Sequence, residues 1–204
     1  MDEIASDIDG WARAHGFTPI EWTPSGETPL LREGVLDIAA DAYTGPVEGR
    51  DDAILSEYSV GSPGASEVIG GGGVDSSWYT VYLLVIGDPG YRRLTIHPHA
   101  LADRDWWNRL RGRDHRREIG DDEFDHSHQV IASSDLDEAG VADVIAPLRP
   151  ILASLPDLLI EVESHDSVGS WLLVAHPGIG IGDERLDALH AACGQALAAL
   201  DPAP

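Results

Sequence analysis

The chain has 204 residues, 43% of them apolar and 24% charged, and a formal net charge of −23. This is the size and composition of one globular domain, or two small ones, expected to be soluble. The charge opposes a nucleic-acid partner, and no apolar run reaches the ~18–20 residues of a membrane helix, so no membrane insertion is expected.

Residues 3–15 read as a helix, because Ile4, Ile8, Trp11, Ala12 and His15 recur at three- and four-residue steps before Gly16. "TPIEWTPSGETP" follows, with three prolines that forbid regular helix. "VLDIAADAYTG" alternates and predicts a strand broken at Gly45-Pro46, with "DAILSEYSVG" as its hairpin partner. A flexible glycine-rich loop is expected over about 61–75, before the most apolar strand, Trp78–Ile86. "GDPG" at Gly87–Gly90 is a turn, and "YRRLTIHPH" is the next strand. Leu101–Leu110 reads as a short helix, Glu118–Gly120 as a brief strand and Phe124–Ala132 as a full one. A helix is expected from Ser134, with Asp137 in a capping-box position, and Pro147 and Pro150 should split it before Leu155. "DLLIEVES" and "SWLLVAH" form two strands around the turn "HDSVG". Residues 183–200 close the chain as a helix with Leu186, Leu189, His190, Cys193 and Leu197 on one face. Strands joined by short connections and flanked by helices imply an α+β fold: a single domain, with a mainly antiparallel sheet and N-terminal, middle and C-terminal helices packed on it.

The chain has no lysine; its thirteen basic residues other than histidine are all arginine. That excludes a Walker-type phosphate loop, a Schiff base and a catalytic lysine. Gly70–Gly73 precede a strand rather than open a helix, and "GIGIG" at Gly178–Gly182 lacks the third glycine of a dinucleotide fingerprint, so no cofactor is implied. "ESHDS" at Glu163–Ser167 sets Ser, His and Asp side by side, whereas a triad is assembled from separate elements; it reads as a turn. The lone Cys193, on the last helix, reads as a small buried side chain.

Two sets of residues carry the remaining chemistry. His126 and His128 would share one face of a strand, as would His97 and His99, and with Asp125 they compose a candidate metal set if the two strands meet. The alternative is a polar outer face on half-exposed strands. Eight of the thirteen arginines lie between Arg92 and Arg117, interleaved with Trp106 and Trp107. Arg92, Arg93, Trp106, Trp107, Arg109 and Arg113 are the candidate partner or ligand surface. Local pairing with Asp103, Asp105, Asp114 and Glu118 would instead neutralise the arginines in place.

The segments "WARAHGF", "REGVLDIAADAYTGPVEGR", "EYSVG", "WYTVYLLVI", "EFDHSHQVIASSDLDEAGVADVIAPLRPIL" and "SWLLVAHPG" occur in a fixed order. Over residues 8–178 the chain resembles a family of uncharacterised proteins from high-GC bacteria with an F-D-x-x-[FY]-x-V signature. The resemblance rests on Phe124-Asp125, Val130 or Ile131, Asp135, Leu136 and Pro147, and on a G-x-x-x-G-R turn at Gly45, Gly49 and Arg50. The family's aromatic position falls on His128 here, a departure from the pattern. The resemblance implies that Phe124 anchors the core, that Asp125 caps a turn or pairs with an arginine, and that the chain is one unit; it implies no reaction.

No motif supplies a nucleophile, a base with its orienting group, or a phosphate cradle. The leading expectation is therefore a non-enzymatic interaction or ligand-binding module, cytoplasmic because no leader is visible. A metal-dependent hydrolase using the histidines is the second expectation. The third is a self-associating structural protein, with Trp78–Ile86 at a sheet edge.

Overall fold

Apolar runs along the strands build one large sheet whose central strands are buried on both faces. The computed structural model describes residues 8–22, 35–61, 77–99, 115–165, 169–178 and 181–201, with the backbone alone for 35–40, 58–61, 77, 115 and 165. In chain order the elements are α1 (Ile8–Ala14), β1 (Thr18–Ile20), β2 (Val35–Val47), β3 (Arg50–Gly61), β4 (Ser77–Ile86), β5 (Arg93–Pro98) and β6 (His115–Arg117). There follow α2 (Asp122–Ser127), β7 (His128–Ala132), α3 (Glu138–Ile145), a 3-10 turn (Ala146–Leu148), α4 (Arg149–Ser154), β8 (Leu159–His165), β9 (Gly169–Pro177) and α5 (Asp183–Leu200). The nine strands lie in the order β1-β2-β3-β4-β9-β8-β5-β7-β6, and every neighbouring pair is antiparallel. The fold is a single α+β domain, mostly sheet. The edge strands β1 and β6 have three residues each, and β1 pairs with only Ala42–Thr44 of the longer β2. β4 lies between β3 and β9 in the sheet interior. The self-association route that required β4 at an edge therefore lacks its geometric basis. Among the described residues, no helix is long and apolar enough to cross a membrane.

The strand period of two separates the sheet's faces. Tyr82 and Leu84 of β4, Leu172 and Val174 of β9, Ile160 and Val162 of β8, and Leu94 and Ile96 of β5 point to one side. There they meet Trp11 of α1, Val141 and Ile145 of α3, Leu152 of α4, and Leu186, Leu189, Cys193 and Leu197 of α5, all buried. Each such aliphatic side chain contributes about 1.5–3 kcal/mol on full burial. On the other side Tyr79, Val81, Leu83, Leu159, Leu173 and Ala175 form a second cluster, with Trp22, Ile54 and Trp171 against it. The described helices contribute their buried side chains to the first cluster.

Several boundaries differ from the sequence expectations. β2 does not break at Gly45-Pro46 but runs on to Val47. Gly45 stays in register with Ala53, Pro46 falls at the register shift between Gly45 and Val47, and the reversal is made at Glu48-Gly49, with φ of 46° and 77°. Two consecutive positive φ values match the twist of a two-residue hairpin. The brief strand expected at Glu118–Gly120 lies earlier, as β6, and Gly120 takes a turn conformation with φ 76°.

Phe124–Ala132 is not one strand: Asp122–Ser127 is helical and only His128–Ala132 is extended. The Asp121 side chain caps that helix by accepting from the Glu123 and Phe124 amides, and the acidic first turn suits its N-terminus. The middle helix starts at Glu138 rather than Ser134, because Asp137 is its N-cap and accepts from the Gly140 amide at 2.8 Å. It then splits at Pro147 and Pro150 as the sequence implies. The expected helix over Leu101–Leu110 and the glycine-rich loop after Gly61 lie outside the described residues, as does the start of the helix expected from residue 3.

Candidate functional site

The two histidine pairs do not gather at one point, although His99 comes near His128. β5 and β7 are neighbours, with His97 opposite Gln129 and Pro98 opposite His128. That one-residue offset turns His97 to the face bearing Thr95 and Glu161, and His128 to the face bearing Ile96 and Val130. His97 is fully buried, and its Nδ1 donates to the Pro98 carbonyl at 3.1 Å. His99 donates from Nε2 to the Asp125 carbonyl at 3.1 Å. His126 is exposed on α2. The Asp125 carboxylate accepts from the backbone amides of Ile119, Gly120 and Asp121 at 3.1, 3.0 and 3.2 Å, so it fastens the turn ahead of α2. Among the described residues, no three His, Cys, Asp or Glu side chains are placed to hold a metal ion.

Of the arginine island, Arg92 is exposed and Arg93 is largely buried. Register sets Arg93 opposite Glu163 and Thr95 opposite Glu161. The Arg93 guanidinium lies 3.1 Å from Glu163 and 3.8 Å from Glu161. Both carboxylates are shielded from water, and a buried acid is tolerated only when charge and hydrogen bonds compensate it. Arg93 thus belongs to an ionic belt within the sheet rather than to an open docking surface. Trp106, Trp107, Arg109 and Arg113 lie outside the described residues.

A pocket exists elsewhere. Between α2 and α4 is a cavity of about 380 Å³. Phe124, Leu152, Ala153 and Pro156 give it an apolar wall, and Asp121, Glu123, Ser127, His128 and Arg149 give it polar groups. The volume falls within the range of small-ligand sites. Phe124 is fixed from two directions. The His128 ring stacks on it at 4.9 Å with 17° between planes, and the Arg149 guanidinium carbon lies 5.9 Å from its centroid. Arg149 is in turn held by Asp121, 2.7 Å away. Asp121 therefore caps α2 and anchors the first residue of α4.

His128 is 5% exposed. Burial, and then the nearby His99, hold its pKa below the ordinary imidazole value, so it is uncharged at neutral pH. Its Nδ1 lies 2.8 Å from the Ser127 hydroxyl. That hydroxyl is also 3.0 Å from the carbonyls of Glu123 and Phe124. One proton cannot serve three acceptors. The consistent arrangement has Ser127 donating to its own helix and His128 Nδ1–H donating to the Ser127 oxygen. Nε2 then carries a lone pair, and it has no partner among the described residues.

A second group of polar side chains fastens α1. Trp11 stacks on His15 at 4.0 Å and donates to Asp187 of α5 at 2.8 Å. His15 lies 3.3 Å from the same carboxylate and donates from Nδ1 to the Trp11 carbonyl at 2.8 Å. His190 Nδ1 is 3.2 Å from the Tyr82 hydroxyl. Burial, and then His15, depress the His190 pKa, and burial raises that of Tyr82. These groups pair with one another and read as a clamp between helix and sheet.

Of the residues lining the cavity between α2 and α4, the sequence pattern singles out His128 and not Asp121, Ser127, Arg149 or Leu152. The cavity forms where residues more than twenty positions apart approach, and no short pattern marks it. The local signals were the Asp-Asp-Glu-Phe cap at 121–124 and the Arg-Pro start of α4. No family model, no curated protein and no solved structure matches the chain.

Proposed function

We propose that this chain is a non-enzymatic, cytoplasmic binding module whose small-molecule ligand occupies the cavity between α2 and α4. The observation that carries this reading is the cavity itself, which combines an apolar wall with a few fixed polar groups. The polar groups are held before any ligand arrives: Arg149 by Asp121, Ser127 by its own helix, and His128 by Ser127 and Phe124. Preorganisation of this kind favours binding by lowering the ordering cost.

The same geometry argues against hydrolysis. The one hydroxyl beside an imidazole at this site is committed to helix carbonyls, and it faces Nδ1, the nitrogen that an orienting carboxylate would need in a triad. The test is a two-dimensional amide NMR titration with a fragment set, run on the native chain and on Ala153→Trp. Ala153 is exposed and lines the cavity, so an indole there fills the space without entering the core. Shifts at Phe124, Ser127, His128 and Leu152 that vanish in the variant support the reading. A set of fragments that moves none of these amides sinks it.

A further inference from the structure

Resting on the reading of the cavity as a ligand site, we infer that its ligand class is an organic monocation: an ammonium group carried on a small apolar body. The charges at the cavity decide the sign. Asp121 and Glu123 bring two carboxylates, and Arg149 alone opposes them, at 2.7 Å from Asp121. The imidazole of His128 is buried and adds no positive charge at neutral pH. The local balance is therefore one negative charge, in a chain of formal charge −23. A field of that sign concentrates cations and repels anions. An incoming carboxylate would have to take Arg149 from Asp121 and leave that carboxylate without its cation. An incoming ammonium compensates the charge already there and donates to carboxylate oxygens.

The rest of the cavity fixes the other half of the ligand. Phe124, Leu152 and Pro156 form an apolar surface beside the carboxylates, and about 380 Å³ admits a body of one small ring or a short alkyl chain. A strongly hydrated metal cation would gain nothing from that wall, whereas an amine with a hydrocarbon body uses both halves.

The test uses three probes of similar size: 2-phenylethylammonium, 3-phenylpropanoate and 2-phenylethanol. Binding of each is followed by amide NMR and calorimetry at low and high salt. The ammonium should bind at the cavity amides at least about tenfold more tightly than the carboxylate, and salt should reduce the margin. The paired variant Asp121→Asn with Glu123→Gln removes both charges while Asn keeps the helix cap. It leaves Arg149 as the cavity's net charge, so the preference should invert toward the carboxylate. Tighter binding of the carboxylate to the native chain would overturn the cation assignment and leave the binding-module reading intact. Equal binding of all three probes would also overturn it. Failure of every probe and of the wider fragment set to move these amides would remove the binding-module reading itself. The comparison of probes on the native chain stands even if the paired variant unfolds.

Discussion

Gly45 offers the sharpest test of the packing, because the sequence suggests a strand breaker and the structure gives it another role. A β-carbon built on Gly45 would lie 2.5 Å from Phe17 Cδ1 and 2.8 Å from Phe17 Cα. Carbon atoms settle near 3.5–4.0 Å, so about 1 Å of movement is required, part of it by backbone. Overpacking of this kind costs about 1–3 kcal/mol, and the backbone contact puts Gly45→Ala near the upper end. The ordinary gain of about 0.5–1 kcal/mol from replacing glycine in a strand offsets part of that. A net loss of about 2 kcal/mol is expected. Phe17 is 2% exposed, and Phe17→Ala alone should cost about 3–5 kcal/mol. The double variant then distinguishes the mechanism. With the ring gone, the alanine methyl at 45 is relieved of the Cγ and Cδ1 contacts and keeps the backbone one at Cα, so the two losses should fall short of additive by about 1–2 kcal/mol. Urea denaturation of the four proteins, with unchanged m, measures this. Additivity within about 0.5 kcal/mol, or a neutral Gly45→Ala, would refute the argument that the ring requires a bare Cα.

Three further outcomes follow from the structure. His128, His176 and His190 have folded-state pKa values lowered by burial, so the unfolded chain binds more protons below its ordinary imidazole value of about 6.5. Stability should be full above that value and fall as pH drops through it, and His190→Gln should flatten the slope of Tm between about pH 7.5 and 5.5. A flat profile in the native chain would contradict the burial argument. The lowered carboxyls of Asp52 and Asp135 act in a separate window, since their stabilisation is present above about pH 4 and lost only as pH falls further. Asp125→Ala leaves three backbone amides without their acceptor, two of them partly buried, and should cost about 2 kcal/mol, with Asp125→Asn intermediate. Hydrogen exchange at Ile119 and Asp121 should accelerate in the same order, and unchanged exchange would show that the carboxylate is not the fastener. Cys193 is fully buried and its thiol pKa is raised by that burial, so alkylation of the native chain should be negligible and should become complete only on unfolding. Modification at the exposed-thiol rate would place Cys193 outside the core.

Local patterns and long-range contacts contribute differently to this fold. Short, nearly continuous apolar runs along "WYTVYLLVI" and "SWLLVAH" identified β4 and β9, because a central strand covered on both faces buries almost every side chain, and that run is carried by neighbouring residues. The heptad-like spacing of Leu186, Leu189, Cys193 and Leu197 identified α5 for the same reason. Asp121 was the instructive failure. Its two cap bonds reach only three residues ahead, yet the apolar run from Val130 masked the helix it starts. At Gly45, the breaker signal lost to a tertiary contact: the Phe17 ring occupies the space a side chain would need.

The class of fold, the main strands and the closing helix are legible in the chain alone, since each depends on apolar runs or periodicities within one segment. The formal net charge of −23 is likewise a property of the sequence alone. The position of β4 inside the sheet and the opposed faces of His97 and His128 emerge only when the strands pair. Tertiary packing alone places Arg93 against Glu161 and Glu163, and α4 against α2 with a cavity between them. Those outcomes depend on which strand pairs with which, and in what register. A one-residue offset reverses a side chain's face, and that offset is set by contacts between residues far apart in the chain.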